Sequence, residues 1–173
     1  MKQKIFLTIF LAASLFAQEL QVKAKLFNAD QKTGVSVFEG NVNIIKGNDE
    51  LNASKVTIHT NANQEPTKFT AEGDASFKIK TLEGALYTGR AQKVIYLPKE
   101  KEYHFFKDVH LKQINEKKEI IGDEVILKTI EGKAYAKGAQ QEPVIMIFNM
   151  PDEKPKKEQE PKKEQEVKKE QND

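Results

Sequence analysis

From Ser36 to Leu127 the chain sets apolar side chains at every second position in short recurring runs, an alternation that suits half-buried β-strands and not helices. Three of the runs share a pattern in which an acidic or amide residue stands between a glycine or lysine and a small apolar residue. They are Phe38-Glu39-Gly40-Asn41-Val42-Asn43-Ile44, Ala71-Glu72-Gly73-Asp74-Ala75-Ser76-Phe77 and Phe105-Phe106-Lys107-Asp108-Val109-His110-Leu111. Asn41, Asp74 and Asp108 are thus about 33 residues apart, and a fourth copy fades in at Ala134, Ala136 and Gly138. Units of that length with an internal period of two are expected to form one supersecondary element stacked on itself, a repetitive sheet built from about 33-residue repeats.

A second pattern is interleaved with the first: a small residue, two spacers, an apolar residue, one spacer, an apolar residue. Its copies are Ala24 to Ala29, Ala53-Ser54-Lys55-Val56-Thr57-Ile58, Ala91-Gln92-Lys93-Val94-Ile95-Tyr96 and Gly122-Asp123-Glu124-Val125-Ile126-Leu127. In the last three, Leu51, Gly89 or Ile120 stands two residues before the small one, so the apolar set changes parity at that point. A strand that keeps one face buried changes parity through an extra residue, so a β-bulge is expected at Ala53, Ala91 and Gly122, small because the bend brings backbones close.

Turn chemistry separates the runs at Asp30 to Gly34, Lys46 to Asp49, Asn61 to Pro66, Pro98 to Lys101, Asn115 to Lys118 and Glu131 to Lys133. About nine strands follow by this reading, joined by connections too short for anything but antiparallel pairing. No stretch from Gln18 to Met150 keeps a helical apolar period, so essentially no helix is expected. Parity assigns an inward face of Ser36, Phe38, Val42 and Ile44; Leu51, Ala53, Val56 and Ile58; Phe69, Ala71, Ala75 and Phe77; Ala91, Val94 and Tyr96; Tyr103, Phe105, Val109 and Leu111; and Ile120, Val125 and Leu127. The other face carries Lys78, Lys80, Lys93, Lys112 and Lys128, with Glu39 and Glu72 as solubilising charges. One greasy and one wet face per strand implies an all-β fold of antiparallel sheets packed against each other.

The ends of the 173-residue chain read differently. Residues 1–17 carry Lys2 and Lys4, then the apolar run Ile5 to Leu15, then Ala17 as a small residue for cleavage, the layout of a secretory signal peptide. The run is too short to span a bilayer, and no lipobox cysteine accompanies it. Residues 151–173 repeat Lys-Lys-Glu-Gln with almost no apolar side chain, and such a segment is expected to stay solvated and disordered. Residues 18–150 remain as a single domain. Two of the 28 cations lie in the leader and seven in the tail, with eight of the 26 anions, leaving 19 cations against 18 anions. A balanced domain lacks the basic stripe of a nucleic-acid binder, and a chain without cysteine has no disulfide to stabilise it.

Catalytic and metal chemistry find little support. His59, His104 and His110 are the only histidines; His104 and His110 are about 20 Å apart along an extended strand, too far for one metal, and fall on the wet face. No Ser-His-Asp order or phosphate-binding glycine loop stands out, and no cofactor is implied. A structural or glycan-binding β-sandwich is the alternative, though the chain lacks tryptophan and most aromatics follow the inward parity. The meander leaves two open edges. The first is near Leu20 to Ala29, and the last, Val144-Ile145-Met146-Ile147-Phe148, is apolar on both faces, which marks it for pairing with another chain.

Phe38-Glu39-Gly40-Asn41-Val42, with Ala24 to Asp30 before it and Leu51-x-Ala53 behind it, resembles the repeated signature of the OstA-like family, the periplasmic domains of the Gram-negative lipopolysaccharide export machinery. The resemblance covers most of Gln18 to Gln140, and the layout of leader, single domain and polar tail is similar to that machinery's soluble bridge component. The third copy departs from the signature, Lys107 replacing glycine. The resemblance implies a twisted antiparallel β-jellyroll with an open apolar interior that holds the acyl chains of lipid A. It further implies a periplasmic location and end-to-end homo-oligomers. Partners would be an inner-membrane anchored protein and an outer-membrane translocon of the same OstA-like type. A second alternative is that the chain is itself one of these other components, against which stand the cleavable leader and the lack of a following barrel. Each methylene kept from water is worth about 0.8 kcal/mol, which a trough of inward residues supplies along the path. The residues expected to touch lipid are Phe38, Val42, Ile44, Val56, Ile58, Phe69, Phe77, Val94, Tyr96, Phe105, Val109, Leu111, Val125 and Leu127, and the edge expected to join the next subunit is Val144 to Phe148.

Overall fold

The computed structural model describes residues 19–150; the expected signal peptide and polar tail lie outside the described residues. Every regular element is a strand: β1 Leu20–Lys23, β2 Leu26–Asp30, β3 Val35–Lys46, β4 Asp49–Thr60, β5 Pro66–Lys80, β6 Leu86–Leu97, β7 Glu102–Gln113, β8 Lys118–Lys128, β9 Lys133–Lys137 and β10 Ile145–Ile147. They form one antiparallel sheet in which β3 to β8 pair in chain order, β1 and β2 both pair with β3, and β9 and β10 both pair with β8. The described residues form ten strands where about nine were expected, and each edge is made of two short strands. At the first edge the break is Ala24 and Lys25, where the Lys25 N–H reaches the carbonyls of both Glu39 and Gly40 at 3.0 Å.

The turns form where side chains can imitate backbone. Asp30 Oδ1 accepts the Lys32 N–H at 2.9 Å, and Asn61 Oδ1 accepts those of Asn63 and Glu65 at 2.9 and 3.0 Å. A further turn, from Thr81 to Ala85, was not among those expected; Thr81 Oγ1 accepts the Ala85 N–H at 3.1 Å, and Gly84 takes a φ of 87°.

The bulges lie on the strands opposite those expected. Between the pairs Glu39↔Lys55 and Val42↔Ala53, Gly40 and Asn41 of β3 face Ser54 alone. Gly73 and Asp74 of β5 likewise face Gln92, and Lys107 and Asp108 of β7 face Asp123. The extra residue therefore belongs to the first sequence pattern, and all six of these residues are left-handed, with φ from 50° to 83°. Glycine, asparagine and aspartate are the side chains that tolerate this region, which explains their selection. Lys107 adopts it too, at φ 62°, so the bend survives the loss of glycine. Ala53, Ala91 and Gly122 do change the buried parity, since Ser54, Gln92 and Asp123 and the residue after each turn away from the core, but they do so as partners on the inside of a neighbour's bend.

These bends line up as a crease across the sheet, and the sheet folds along it. Phe77 is in register with Gly89, and Gly89 with Leu111; Phe105 is six residues farther along β7. In a flat sheet about 20 Å along the strand and two strand spacings would separate Phe77 from Phe105. Their rings instead stack with centroids 4.4 Å apart. The two opposed walls of the expected sandwich are thus the halves of one creased sheet. At one place the far ends of the strands also meet: a Cβ on Gly132, beyond β8, would stand 3.2 Å from a Glu83 carboxylate oxygen in the β5–β6 turn. Between the walls lies a core that includes Val42, Val56, Ala75, Phe105, Val109, Leu111, Val125 and Leu127, each nearly devoid of solvent contact.

Candidate functional site

The crease leaves a cavity of about 260 Å³ between the walls toward the first half of the chain. Ile44, Leu51, Phe77 and Ile79 line it from one wall, and Phe69, Val94, Tyr96 and Tyr103 from the other. Leu20, Pro66 and Pro98 extend the apolar lining, while Lys46, Asp49, Glu50 and Lys78 add charge to it. The aromatic side comes from cross-strand neighbours: Phe69 pairs with Tyr96 and Tyr96 with Tyr103, at ring separations of 5.9 and 4.4 Å.

Of the fourteen residues expected to touch lipid, Ile44, Phe69, Phe77, Val94 and Tyr96 line this cavity. Val42, Val56, Ile58, Phe105, Val109, Leu111, Val125 and Leu127 are buried as expected but pack against one another instead. Phe38 is half-buried, its ring 4.8 Å from that of Phe27. The interior is therefore open along one part and filled along the rest. Large side chains from both walls, above all the stacked Phe77 and Phe105, close the space.

Four further lining residues, Ile79, Pro66, Pro98 and Lys78, were not expected to touch lipid, for different reasons. Ile79, only 3% exposed, simply continues the parity of Ala75 and Phe77, so its signal was available. Pro66 and Pro98 flank turns, and only the fold brings turns over the cavity. Lys78 faces solvent as expected, yet borders the cavity.

Burial governs the ionisable groups here. It raises the Asp49 pKa, against the Lys80 N–H that donates to Oδ1 at 2.8 Å and the nearby Lys46 charge. Burial likewise raises the pKa of Tyr103, and of Tyr96 to a lesser extent, with the Asp49 charge adding to both, so the phenols stay protonated. Asp49 begins β4, whereas Tyr96 and Tyr103 are in register with Ile58 through Phe69, nine residues along that strand; folding at the crease brings them together.

The outer face is organised by charge. Glu39 meets Lys55 at 2.9 Å and Glu72 meets Lys93 at 3.1 Å, continuing a register row in which Lys55 also faces Glu72. His110 contacts Glu119 at 2.8 Å and His104 contacts Glu102 at 3.2 Å, each a cross-strand or same-strand partner on that face. Among the described residues no group of His, Cys, Asp and Glu is arranged to hold a metal, and no helix is long and apolar enough to cross a membrane.

The terminal strand is an edge. Ile145 to Ile147 pair with Glu119 to Ile121 of β8, and Ile145, Met146, Ile147 and Phe148 are 44–52% exposed. Val144 precedes the strand and is half-buried. At the opposite edge Leu26 and Phe27 are exposed as well, at 66% and 62%.

This folded sheet is found in a solved structure, the crystal structure of LptH, described as the LptA homologous periplasmic component of the conserved lipopolysaccharide transport device from Pseudomonas aeruginosa. The two superpose with a TM-score of 0.68 at 20% identity, over 77% of this chain and 96% of that one, which shows a shared fold. None of the curated protein sequences matches the chain. The family model described as LptA/(LptD N-terminal domain) LPS transport protein matches residues 21–133, well over half of the sequence and nearly all of the creased sheet. The chain belongs to this family of lipopolysaccharide transport proteins.

Proposed function

We propose that this protein is a non-enzymatic periplasmic carrier that takes the acyl chains of lipopolysaccharide between the walls of its creased sheet and passes them on through end-to-end assembly. The observation that carries the reading is the apolar cavity of about 260 Å³ bounded by Phe69, Phe77, Ile79 and Val94. A space of that size and lining holds part of a hydrocarbon chain. Family membership supplies the substrate class. The two exposed apolar edges support assembly: β1 with β2, and β9 with β10, each offer unpaired backbone groups to a strand of another chain. A second copy would join the terminal edge to the initial one, and an inner-membrane anchored protein and an outer-membrane translocon of the same family would cap the series.

Photocrosslinking tests the carrier role. A photoreactive residue at Phe69 or Phe77 is expected to capture lipopolysaccharide in cells, while one at Lys93 or Lys112 on the outer face is not. Equal capture at both pairs would remove the internal site.

A further inference from the structure

A second cleft, of about 310 Å³, adjoins the apolar cavity and has a different chemistry. The two share Lys46, Asp49, Ile79, Tyr96 and Tyr103, so hydrocarbon space passes directly into polar space. Three lysines line the polar cleft: Lys46 at the end of β3, Lys80 at the end of β5 and Lys101 in the β6–β7 turn. Lys46 and Lys80 come from one lip of the folded sheet and Lys101 from the other. Thr129, buried beside them, accepts no freedom for that turn: its hydroxyl donates to the Lys101 carbonyl at 2.7 Å and its N–H to the same oxygen at 3.2 Å.

Among the described residues none of these three lysines forms an ion pair, whereas Lys55, Lys93, Lys112 and Lys128 on the outer face each have a glutamate within 3.1 Å. The carboxylate lining the cleft is Asp49, and one of its oxygens is already taken by the Lys80 N–H. Three cations against one anion leave the cleft positive. Ammonium groups are compact charges with no planar preference, suited to a tetrahedral oxyanion approached from several sides. The one arginine of the chain, Arg90, is exposed and pairs in register with His110, away from the cleft.

Resting on the carrier reading above, we infer that Lys46, Lys80 and Lys101 form a subsite for the phosphate-class headgroup of an amphiphile whose hydrocarbon occupies the adjoining apolar cavity. The headgroup then bridges the two lips of the sheet, and the chain lies behind it against Ile79, Tyr96 and Tyr103.

Calorimetric titration of the delipidated full chain with octyl phosphate, octyl glucoside and inorganic phosphate, the amphiphiles below their micellar concentrations, tests this. Octyl phosphate is expected to bind about tenfold more tightly than octyl glucoside. The K46Q/K80Q/K101Q variant loses that preference and keeps its affinity for octyl glucoside; K93Q changes neither. Asp49→Asn tightens octyl phosphate alone, because it removes the one opposing charge. Single lysine variants, each expected to give up about a third of the preference on a logarithmic scale, carry the test if the triple variant fails to fold. A preference that survives in the triple variant overturns the subsite, as does inorganic phosphate binding as tightly as octyl phosphate. Wild-type binding of both amphiphiles without preference sinks this inference and leaves the carrier role standing. Binding of neither sinks both.

Discussion

Single residues carry the bend on which the rest of the structure depends. Gly73 has a φ of 83° and would place a Cβ 2.6 Å from the Ser54 side chain, so Gly73→Ala meets both backbone strain and a clash. A loss of about 2 kcal/mol is expected in chemical denaturation. Lys107 pays the same backbone strain without a clash to forbid it, at φ 62°. Lys107→Gly is expected to raise stability by about 0.5–1 kcal/mol, the relief of a left-handed side chain less the freedom glycine gains when unfolded. The dependence of stability on pH reports on Asp49. Its folded pKa is raised by burial, so its contribution is fully present below the ordinary value of 3.8 and is lost as pH rises through the folded value. Asp49→Asn, whose amide oxygen still accepts the Lys80 N–H, is expected to be more stable than wild type at pH 7. Denaturation midpoints should show the difference shrinking as the pH falls from the raised folded value toward 3.8 and absent below it.

At the scale of elements, the strands were legible and their breaks were not. Alternation in β3 to β8 identified the inward residues because burial on one face imposes a period of two, and nearly all of them are buried or half-buried. Ala24 and Lys25 look in sequence like another small-residue copy. They split an edge strand because the left-handed pair Gly40 and Asn41 lies beside them with no second neighbour to hold the ladder. At the other edge, β9 ends at Lys137 and β10 resumes only at Ile145, since Gly138 turns the chain against Glu142 and Pro143. The edge strands are where assembly is tested. Ile145→Lys or Ile147→Lys places a charge on an already exposed edge, so a stability change within about 0.5 kcal/mol is expected. Concentration-dependent association in sedimentation should fall markedly, and unchanged association would exclude β10 from the contact.

For the whole molecule, the decisive contact is the one between walls. Phe105 is fully buried and stacks on Phe77 from the opposite half of the sheet, so Phe105→Ala is expected to cost about 3–5 kcal/mol. Phe27→Ala, at an edge and 62% exposed, should cost under about 1 kcal/mol. Thermal melts of the two variants measure the contrast, and similar losses would mean that the walls do not stabilise each other. From its sequence alone the chain was bound to be an antiparallel sheet with one apolar face, because alternation and turn residues are local properties that any fold of the chain must satisfy. Which strand of each pair holds the extra residue, how far the walls close and where space remains were decided only in three dimensions. Those outcomes depend on side chains such as Phe77 and Phe105, remote in register, meeting across a crease, and no local pattern records the volume left between them.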